Sequence, residues 1–277
     1  MYPNIGKQYQ FLKEIGRGGT GIVHLAVDTH TGYLVAIKSI HSNISNSNPE
    51  MLEKFRIEAN IYLMLSNPNI VKLKNFILQN GAHLVMEFVD GQPMDEYISN
   101  VTGPIANDIT IAMMIDIVSA VGYAHNTKIA LEGYDGVLHL DIKPGNILIG
   151  KKGEVKVIDY GISQGTHEER GKKIMGSPMY MSPEQLDLNA ELNPQTDIYA
   201  LGVLLHHMIT GNTPYSRKSS QEEIFHEIKN KPLKRIVDIY PFADPRLQII
   251  IDKATNKFPH NRYKNCNEFL LALEDLN

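Results

Sequence analysis

The hydrophobic pattern of this chain changes character near residue 90, and that change constrains the fold more than any other feature. Upstream, apolar residues come in short runs, Phe11–Ile15, Ile22–Val27, Leu34–Ile40, Leu73–Leu78 and Ala82–Phe88, separated by glycine-rich or polar turns. That is the pattern of short strands. One helical stretch interrupts them. Asn48 suits its N-cap, Pro49 its first position and Glu50 the positive end of its dipole. Leu52, Phe55, Ala59, Tyr62 and Leu63 recur at helical spacing until Asn67–Pro68 stops it. His41–Asn48 is a Ser/Asn-rich loop and Asp90–Pro93 a linker. Downstream, Asp108–Ala124 is amphipathic, with Ile109, Ala112, Met113, Ile117, Ala120, Val121 and Ala124 on one face. Val137–Leu140, Ile147–Ile149 and Val155–Ile158 are short strands, and Phe269–Leu276 a short amphipathic helix. Ile198–Ile209 is apolar almost all round, as a helix in the centre of a lobe should be, and Gly211 is its natural C-cap. The expectation is an α+β chain: a small strand-rich lobe, a hinge near 87–93, and a larger helical lobe.

Composition narrows the class. A chain of 277 residues can bury a substantial core. A formal net charge of −4 argues against a nucleic-acid binder. Cys266 is the only cysteine, which excludes an internal disulfide and a cysteine-based metal cage, and fits a reducing compartment. The N-terminal MYPNIGKQYQF lacks an apolar signal core. No run reaches the ~18 consecutive apolar residues of a membrane span; Asp116 and His206–His207 break the longest candidates. A cytoplasmic protein, or a cytosolic piece of something longer, is expected.

Several short motifs carry chemistry. Residues 139–148, HLDIKPGNIL, put Asp141, Lys143 and Asn146 (a carboxylate, an amine and an amide) on one short run before an apolar strand. Gly16, Gly18 and Gly21 form G-x-G-x-x-G, followed by Val23. Glycine lets backbone amides approach phosphate oxygens, and the strand that follows disfavours a dinucleotide fold, where a helix should stand. Lys38 ends the apolar strand Val35–Lys38. It is either an edge-strand lysine or an amine aimed at phosphates and steadied by a helical carboxylate, Glu58 before Glu53. Asp159-Tyr-Gly161 is either a turn or, with Asn146, a pair of oxygen donors for Mg²⁺. Residues 176–184, GSPMYMSPE, form a Pro-rich loop of distinctive composition. Asp197 suits a helix N-terminus, and Arg262 alone would be a surface arginine.

Each motif has a plain structural explanation, but together, in this order and at these spacings, they resemble the protein-kinase signature set. The chain is similar, over essentially its whole length, to the eukaryotic-like (Hanks-type) Ser/Thr kinases of bacteria. The resemblance implies a two-lobed kinase fold. Its N-lobe, residues 1–88, would carry a small antiparallel β-sheet and one main helix. Its C-lobe, residues 89–277, would be larger and mostly helical. It also implies transfer of the γ-phosphate of ATP to protein hydroxyls with Mg²⁺ or Mn²⁺. Gly16, Gly18 and Gly21 would cover the phosphates, and Lys38, paired with Glu58, would hold the α/β-phosphates. Asp141 would orient the attacking hydroxyl and accept its proton. Lys143 would neutralise the γ-phosphate, and Asn146 and Asp159 would bind the metal. Ile15, Val23, Ala36 and Leu148 would contact the nucleotide, the last three sandwiching its adenine. Met86 would be the gatekeeper, with Glu87 and Val89 in the hinge that reads the base. His139, Tyr160, Tyr62 and Leu73 would stack as an internal apolar column, and Glu184 and Arg262 would form a buried ion pair. Protein substrates are the implied partners; nucleic acid is not expected, and a regulatory protein partner and a homodimer stay open.

The chain departs from that pattern in four places. Leu140 stands where an Arg usually precedes the catalytic Asp, Tyr160 replaces a Phe, Ser182 replaces an Ala, and Ala130–Gly136 lengthens the approach to His139. The first three remove no group that touches ATP, metal or acceptor. Leucine has no donor for a phosphate. Between Asp159 and Gly176 only Ser163 and Thr166 carry Ser/Thr hydroxyls, while Glu168, Glu169, Arg170, Lys172 and Lys173 offer charge. The expectation is activity without phosphorylation of that segment. A pseudokinase and a small-molecule phosphotransferase are the alternatives. Retention of Lys38, Glu58, Asp141, Asn146 and Asp159 weighs against the first, and the GSPMYMSPE segment against the second.

Overall fold

Five strands that would be unstable singly close into one antiparallel sheet. They are β1 (Tyr9–Gly18), β2 (Gly21–Asp28), β3 (Leu34–His41), β4 (Leu73–Ile77) and β5 (Gly81–Glu87), in the order β1-β2-β3-β5-β4. The computed structural model describes residues 5–18, 21–41, 49–128, 135–160, 164–165, 176–215 and 219–276. The chain folds as two units, Met1–Asp90 and Gly91–Asn277. Asn48 and most of its loop, Ser163, Thr166 and the charged residues 168–173, and residues 130–134 of the lengthened approach lie outside the described residues.

In the first unit, strand alternation sorts the side chains. Val35 and Ile37 of β3 join Ile5, Tyr9, Ala26 and Val85 in a buried cluster, so Ala36 and Lys38 take the other face. Register places Val23 beside Lys38, and Leu25 and Met86 beside Ala36. Gly18 pairs with Gly21 across the β1–β2 hairpin. A side chain at Gly21 would put its Cβ 2.5 Å from the Ser39 carbonyl oxygen, so only glycine fits there. Helix α1 (Pro49–Met64) packs on β4 and β5. Its buried stripe runs through Phe55, Glu58, Ala59, Ile61 and Tyr62. Leu63, expected on that stripe, has turned out of it and is 62% exposed.

In the second unit, β6 (Gly91–Pro93), β8 (Ile147–Gly150) and β9 (Val155–Val157) form a three-stranded sheet in the order β6-β8-β9. The expected linker is therefore a strand from Gly91 onward. Three residues with a Gly and a Pro carry no alternation to announce it, and Pro93 is tolerated because β6 is an edge. Gly91 lies so close to the Ile149 carbonyl that no side chain could stand there. A two-stranded ribbon pairs β7 (Val137–Leu138) with β10 (Gln164–Gly165).

The helices of the unit follow in chain order. After α2 (Met94–Tyr97) come α3 (Asn107–Asn126), α4 (Pro194–Thr210), α5 (Gln221–Asn230), α6 (Ile236–Ile239), α7 (Pro245–Ala254) and α8 (Cys266–Glu274). Asn193 caps α4, Pro194 opens it, Asp197 lies in its first turn, and Gly211 closes it at φ 66°. Every residue from Thr196 to Thr210 is buried, as the apolar run requires. Helix α3 is long and apolar enough to cross a membrane by length and composition, although Asp116 was expected to break it. Its candidate window is 61% buried inside the protein, the condition of a core helix.

Helix α4 packs on α3 and α7. Gly202 sits where a Cβ would come within 2.7 Å of Ala254 Cβ and 2.8 Å of Thr255 Cγ2. Gly202→Val therefore overpacks the α4–α7 contact, and urea denaturation should show a loss of about 1–3 kcal/mol.

Candidate active site

The site of the second unit is built on a buried carboxylate. Asp197, fully buried in the first turn of α4, accepts from two successive backbone amides: His139 N–H to Oδ2 at 2.7 Å and Leu140 N–H to Oδ1 at 2.8 Å. His125, at the end of α3, places Nε2 2.8 Å from Asp197 Oδ2. Its Nδ1 faces Cys266 Sγ at 3.6 Å. Burial is the largest single influence on Asp197 and opposes its charge, but the hydrogen bond and charge of His125, with the charge and amide of His139, together outweigh it and hold the carboxyl below its ordinary pKa. Burial likewise works to strip the proton from His125. The Cys266 sulfur and the Asp197 carboxylate overcome it and raise the imidazole to about 10.

This anchoring fixes an unusual backbone at Leu140, and a second one follows at Asp159. Leu140 has φ 64° and Asp159 φ 68°, both in the left-handed region, which costs an L-residue roughly 1–2 kcal/mol. The Leu140 side chain is buried with Leu138 and Leu192. Its carbonyl accepts from Gln185 Nε2 at 3.0 Å. The leucine is thus a packing residue in a strained peptide, directly before Asp141.

Asp141 is held from two sides. Lys143 Nζ donates to Oδ2 at 2.7 Å and to Ser177 Oγ at 2.7 Å. Asn146 Nδ2 donates to the Asp141 carbonyl at 2.8 Å and to Oδ2 at 3.1 Å. Oδ1 is buried without a hydrogen-bond partner. The expected cluster of carboxylate, amine and amide is therefore a bonded constellation. Because Asn146 commits its amide nitrogen to Asp141, its Oδ1 is the end left for another ligand. Asp159 follows β9, tied to Asn146 by the Ile158 N–H···O hydrogen bond of 2.9 Å. Asn146 Oδ1 and the Asp159 carboxylate are oxygen donors suited to a hard divalent ion. Among the described residues no three His, Cys, Asp or Glu cluster as a metal cage.

In the first unit, Lys38 Nζ lies 2.8 Å from Glu58 Oε1, with side chains only 9% and 2% exposed. Glu53, the fallback partner, is 62% exposed and faces Arg56. Ile15 is 41% exposed, and Val23 and Ala36 remain partly accessible. Met86 is buried, and Glu87 and Val89 are half-buried. The Glu87 carboxylate accepts from the Lys72 amide at 3.0 Å. In the second unit Leu148 is half-buried on β8. Tyr62 and Leu73 are buried in the first unit. His139 and Tyr160 pack at 4.7 Å between ring centroids in the second.

Arg262 is not a surface residue. It grips Glu184 with two hydrogen bonds of 2.6 and 2.8 Å, and also donates to the carbonyls of Asn256, Gln195 and Lys257. Sequence reasoning missed Ser177, His125 and Gln185. Only Gln185 carried a signal: with Ser182 three residues before it, it completes an S-x-x-Q capping box.

The protein kinase domain family matches residues 9–273, and this chain belongs to it. Its sheet-bearing first unit and mostly helical second unit are the two lobes of that fold. The chain is 35% identical over 268 residues to the probable serine/threonine-protein kinase PknB of Lactococcus lactis, covering 95% of this chain and 41% of that protein. It is 34% identical over 269 residues to the serine/threonine-protein kinase PrkC of Bacillus subtilis, covering 95% and 40%. It is 31% identical over 286 residues to the serine/threonine-protein kinase PknA of Mycobacterium tuberculosis, covering 99% and 63%. The chain thus spans less than two thirds of each of these relatives.

The buried His125–Asp197 pair gives the lobe a pH dependence. The folded pKa of His125 lies above its ordinary 6.5, so its contribution is complete below that value and lost as pH rises toward about 10. The Asp197 contribution is complete above its ordinary 3.8 and lost as pH falls through the lower folded value. Urea denaturation should show stability declining from pH 6.5 toward about 10. In His125→Gln, which keeps an amide donor for Asp197, that slope should flatten.

Proposed function

We propose that this chain is the catalytic domain of an ATP-dependent protein kinase that phosphorylates serine and threonine hydroxyls of other proteins. The Asp141 constellation carries the reading. Its Oδ2 is neutralised by Lys143 and braced by Asn146, while the buried Oδ1 has no partner. Such an oxygen suits a substrate hydroxyl. Asp141 orients that hydroxyl and takes its proton as the new O–P bond forms and the bond to ADP breaks. Lys143 balances negative charge on the transferring group, and through Ser177 links Asp141 to the segment that positions the acceptor. Most of the catalysis is positioning and charge stabilisation.

The remaining assignments follow the family. Gly16, Gly18 and Gly21 cover the phosphates, and Lys38, held by Glu58, contacts the α/β-phosphates. Ile15, Val23, Ala36, Met86, Glu87, Val89 and Leu148 accommodate the nucleotide base. Asn146 and Asp159 would hold Mg²⁺ or Mn²⁺, which when bound would neutralise phosphate charge. The names of the relatives support a Ser/Thr acceptor. The single cysteine, Cys266, supports work in a reducing compartment such as the cytoplasm. Leu140, packed against Leu138 and Leu192, supports activity without a phosphate on the segment between Asp159 and Gly176.

Purified protein with ATP and Mg²⁺ should label itself or an added protein substrate. Asp141→Asn should lower the initial rate by about 10²–10⁴-fold with an unchanged circular dichroism spectrum. Lys38→Met should lower it comparably. Substantial activity in Asp141→Asn removes the role given to Asp141, and labelled small molecules without labelled protein would mark a different phosphotransferase. Full dephosphorylation, confirmed by intact mass, and the Ser163→Ala/Thr166→Ala variant should both leave the initial rate within about threefold of wild type, since no phosphate-dependent ion pair is lost. Two nearly inactive preparations beside an active phosphorylated one would refute phosphate independence.

A further inference from the structure

Gln185 is 3% exposed and belongs to no part of the reaction described above. Its carboxamide is nonetheless used at both ends. Nε2 donates to the Leu140 carbonyl at 3.0 Å. Oε1 accepts from the Ser182 amide at 3.0 Å and lies 3.4 Å from Ser182 Oγ. Gly176 closes over the same spot at φ 113°: a Cβ there would stand 3.1 Å from the Leu140 carbonyl oxygen and 3.6 Å from Gln185 Nε2. The Leu140 peptide is therefore gripped on opposite sides. Asp197 takes its N–H and Gln185 its carbonyl, and the residue between them sits at φ 64°. The next residue is Asp141. Ser182 and Gly176 bound the stretch that carries Ser177, the other partner of Lys143.

We propose that Gln185 is a positioning residue for phosphoryl transfer: by holding the Leu140 carbonyl it fixes the left-handed peptide that aims Asp141, and it ties that peptide to the 176–184 segment without a phosphate. The inference rests on the kinase reading. A side chain at residue 140 that cannot bind phosphate leaves the link between catalytic loop and acceptor segment to a neutral hydrogen bond. Gln185 supplies it from a 3₁₀ turn whose capping box with Ser182 sets the carboxamide plane. Small errors in that peptide are transmitted to the Asp141 carboxylate, and catalysis that depends on positioning is sensitive to them.

The test is steady-state kinetics on the whole chain with a protein substrate, normalised to ATP-binding sites counted by titration calorimetry. Gln185→Met keeps the length of the side chain and removes both polar ends. Gln185→Glu keeps the acceptor for Ser182 and loses the donor for Leu140. Each should lower kcat per site by about tenfold, with KM for ATP within about twofold of wild type. Glycine adopts positive φ without strain, so Leu140→Gly in the Gln185→Met background should recover kcat per site by about threefold or more. A purely structural role would reduce the number of ATP-binding sites and leave the rate per site alone. Rates per site within twofold of wild type in both single variants, failure of both to fold, or no recovery with Leu140→Gly would each overturn the proposal. A wild-type chain that transfers no phosphoryl group would instead overturn the kinase reading itself.

Discussion

The second lobe is organised around one ionised carboxylate that water does not reach. Asp197 is fully buried, and an isolated charge there would be prohibitively costly. It is stable because it accepts from His125 and from the amides of His139 and Leu140. Those hydrogen bonds hold the chain in a left-handed turn at Leu140, and that turn delivers Asp141 to Lys143 and Asn146. Removing the carboxylate would release two amides and a histidine together, which is why the anchor sits on the most deeply buried helix of the lobe. Helix α4 can carry it because its own first turn, capped by Asn193, favours an acidic group near the N-terminus.

The other buried charges follow the same rule. Lys38 and Glu58 are almost wholly covered and contact each other, and Arg262 meets Glu184 through a two-pronged grip while its remaining donors reach carbonyls. Desolvation makes such pairs weak contributors to net stability, but breaking one strands its partner at a cost of about 3–5 kcal/mol. Their value here lies in placement. Lys38 projects from the face of β3 opposite to the Val35–Ile37 cluster, where the sheet register puts Val23 and Leu84 beside it. Arg262 fastens Glu184, at the end of the 176–184 segment, to the helical body of the lobe.

Much of this was visible in the sequence because it is local. Strand runs, the period of α3 and the all-round apolarity of α4 reflect burial patterns that each segment carries by itself. The clustering of Asp141, Lys143 and Asn146 within six positions guaranteed their proximity. Glu58 was preferred over Glu53 on its place along the helix, and burial agrees. Where the reading departed from the structure, a non-local contact decided. Gly91–Pro93 is a strand only because β8 lies beside it, and Leu63 is exposed because the stripe that meets the sheet passes through Ile61 instead. Arg262 taken alone looks like a surface residue; the family resemblance is what pointed to its buried pair with Glu184, 78 positions away, and the structure shows that pair.

The sequence by itself determined the two-part α+β division and the kinase family, since both are written in periodicity and in short motifs whose members are near one another along the chain. It also put the Asp141 carboxylate within reach of the Lys143 amine. Only the tertiary structure decided how that carboxylate is aimed. The positive φ of Leu140 has no sequence signature in a leucine. It exists because Asp197, 57 residues on, takes the amide and Gln185, 45 residues on, takes the carbonyl. A backbone conformation that is locally unfavourable is set by the partners that folding brings to it, and those partners are invisible until the chain has closed on itself.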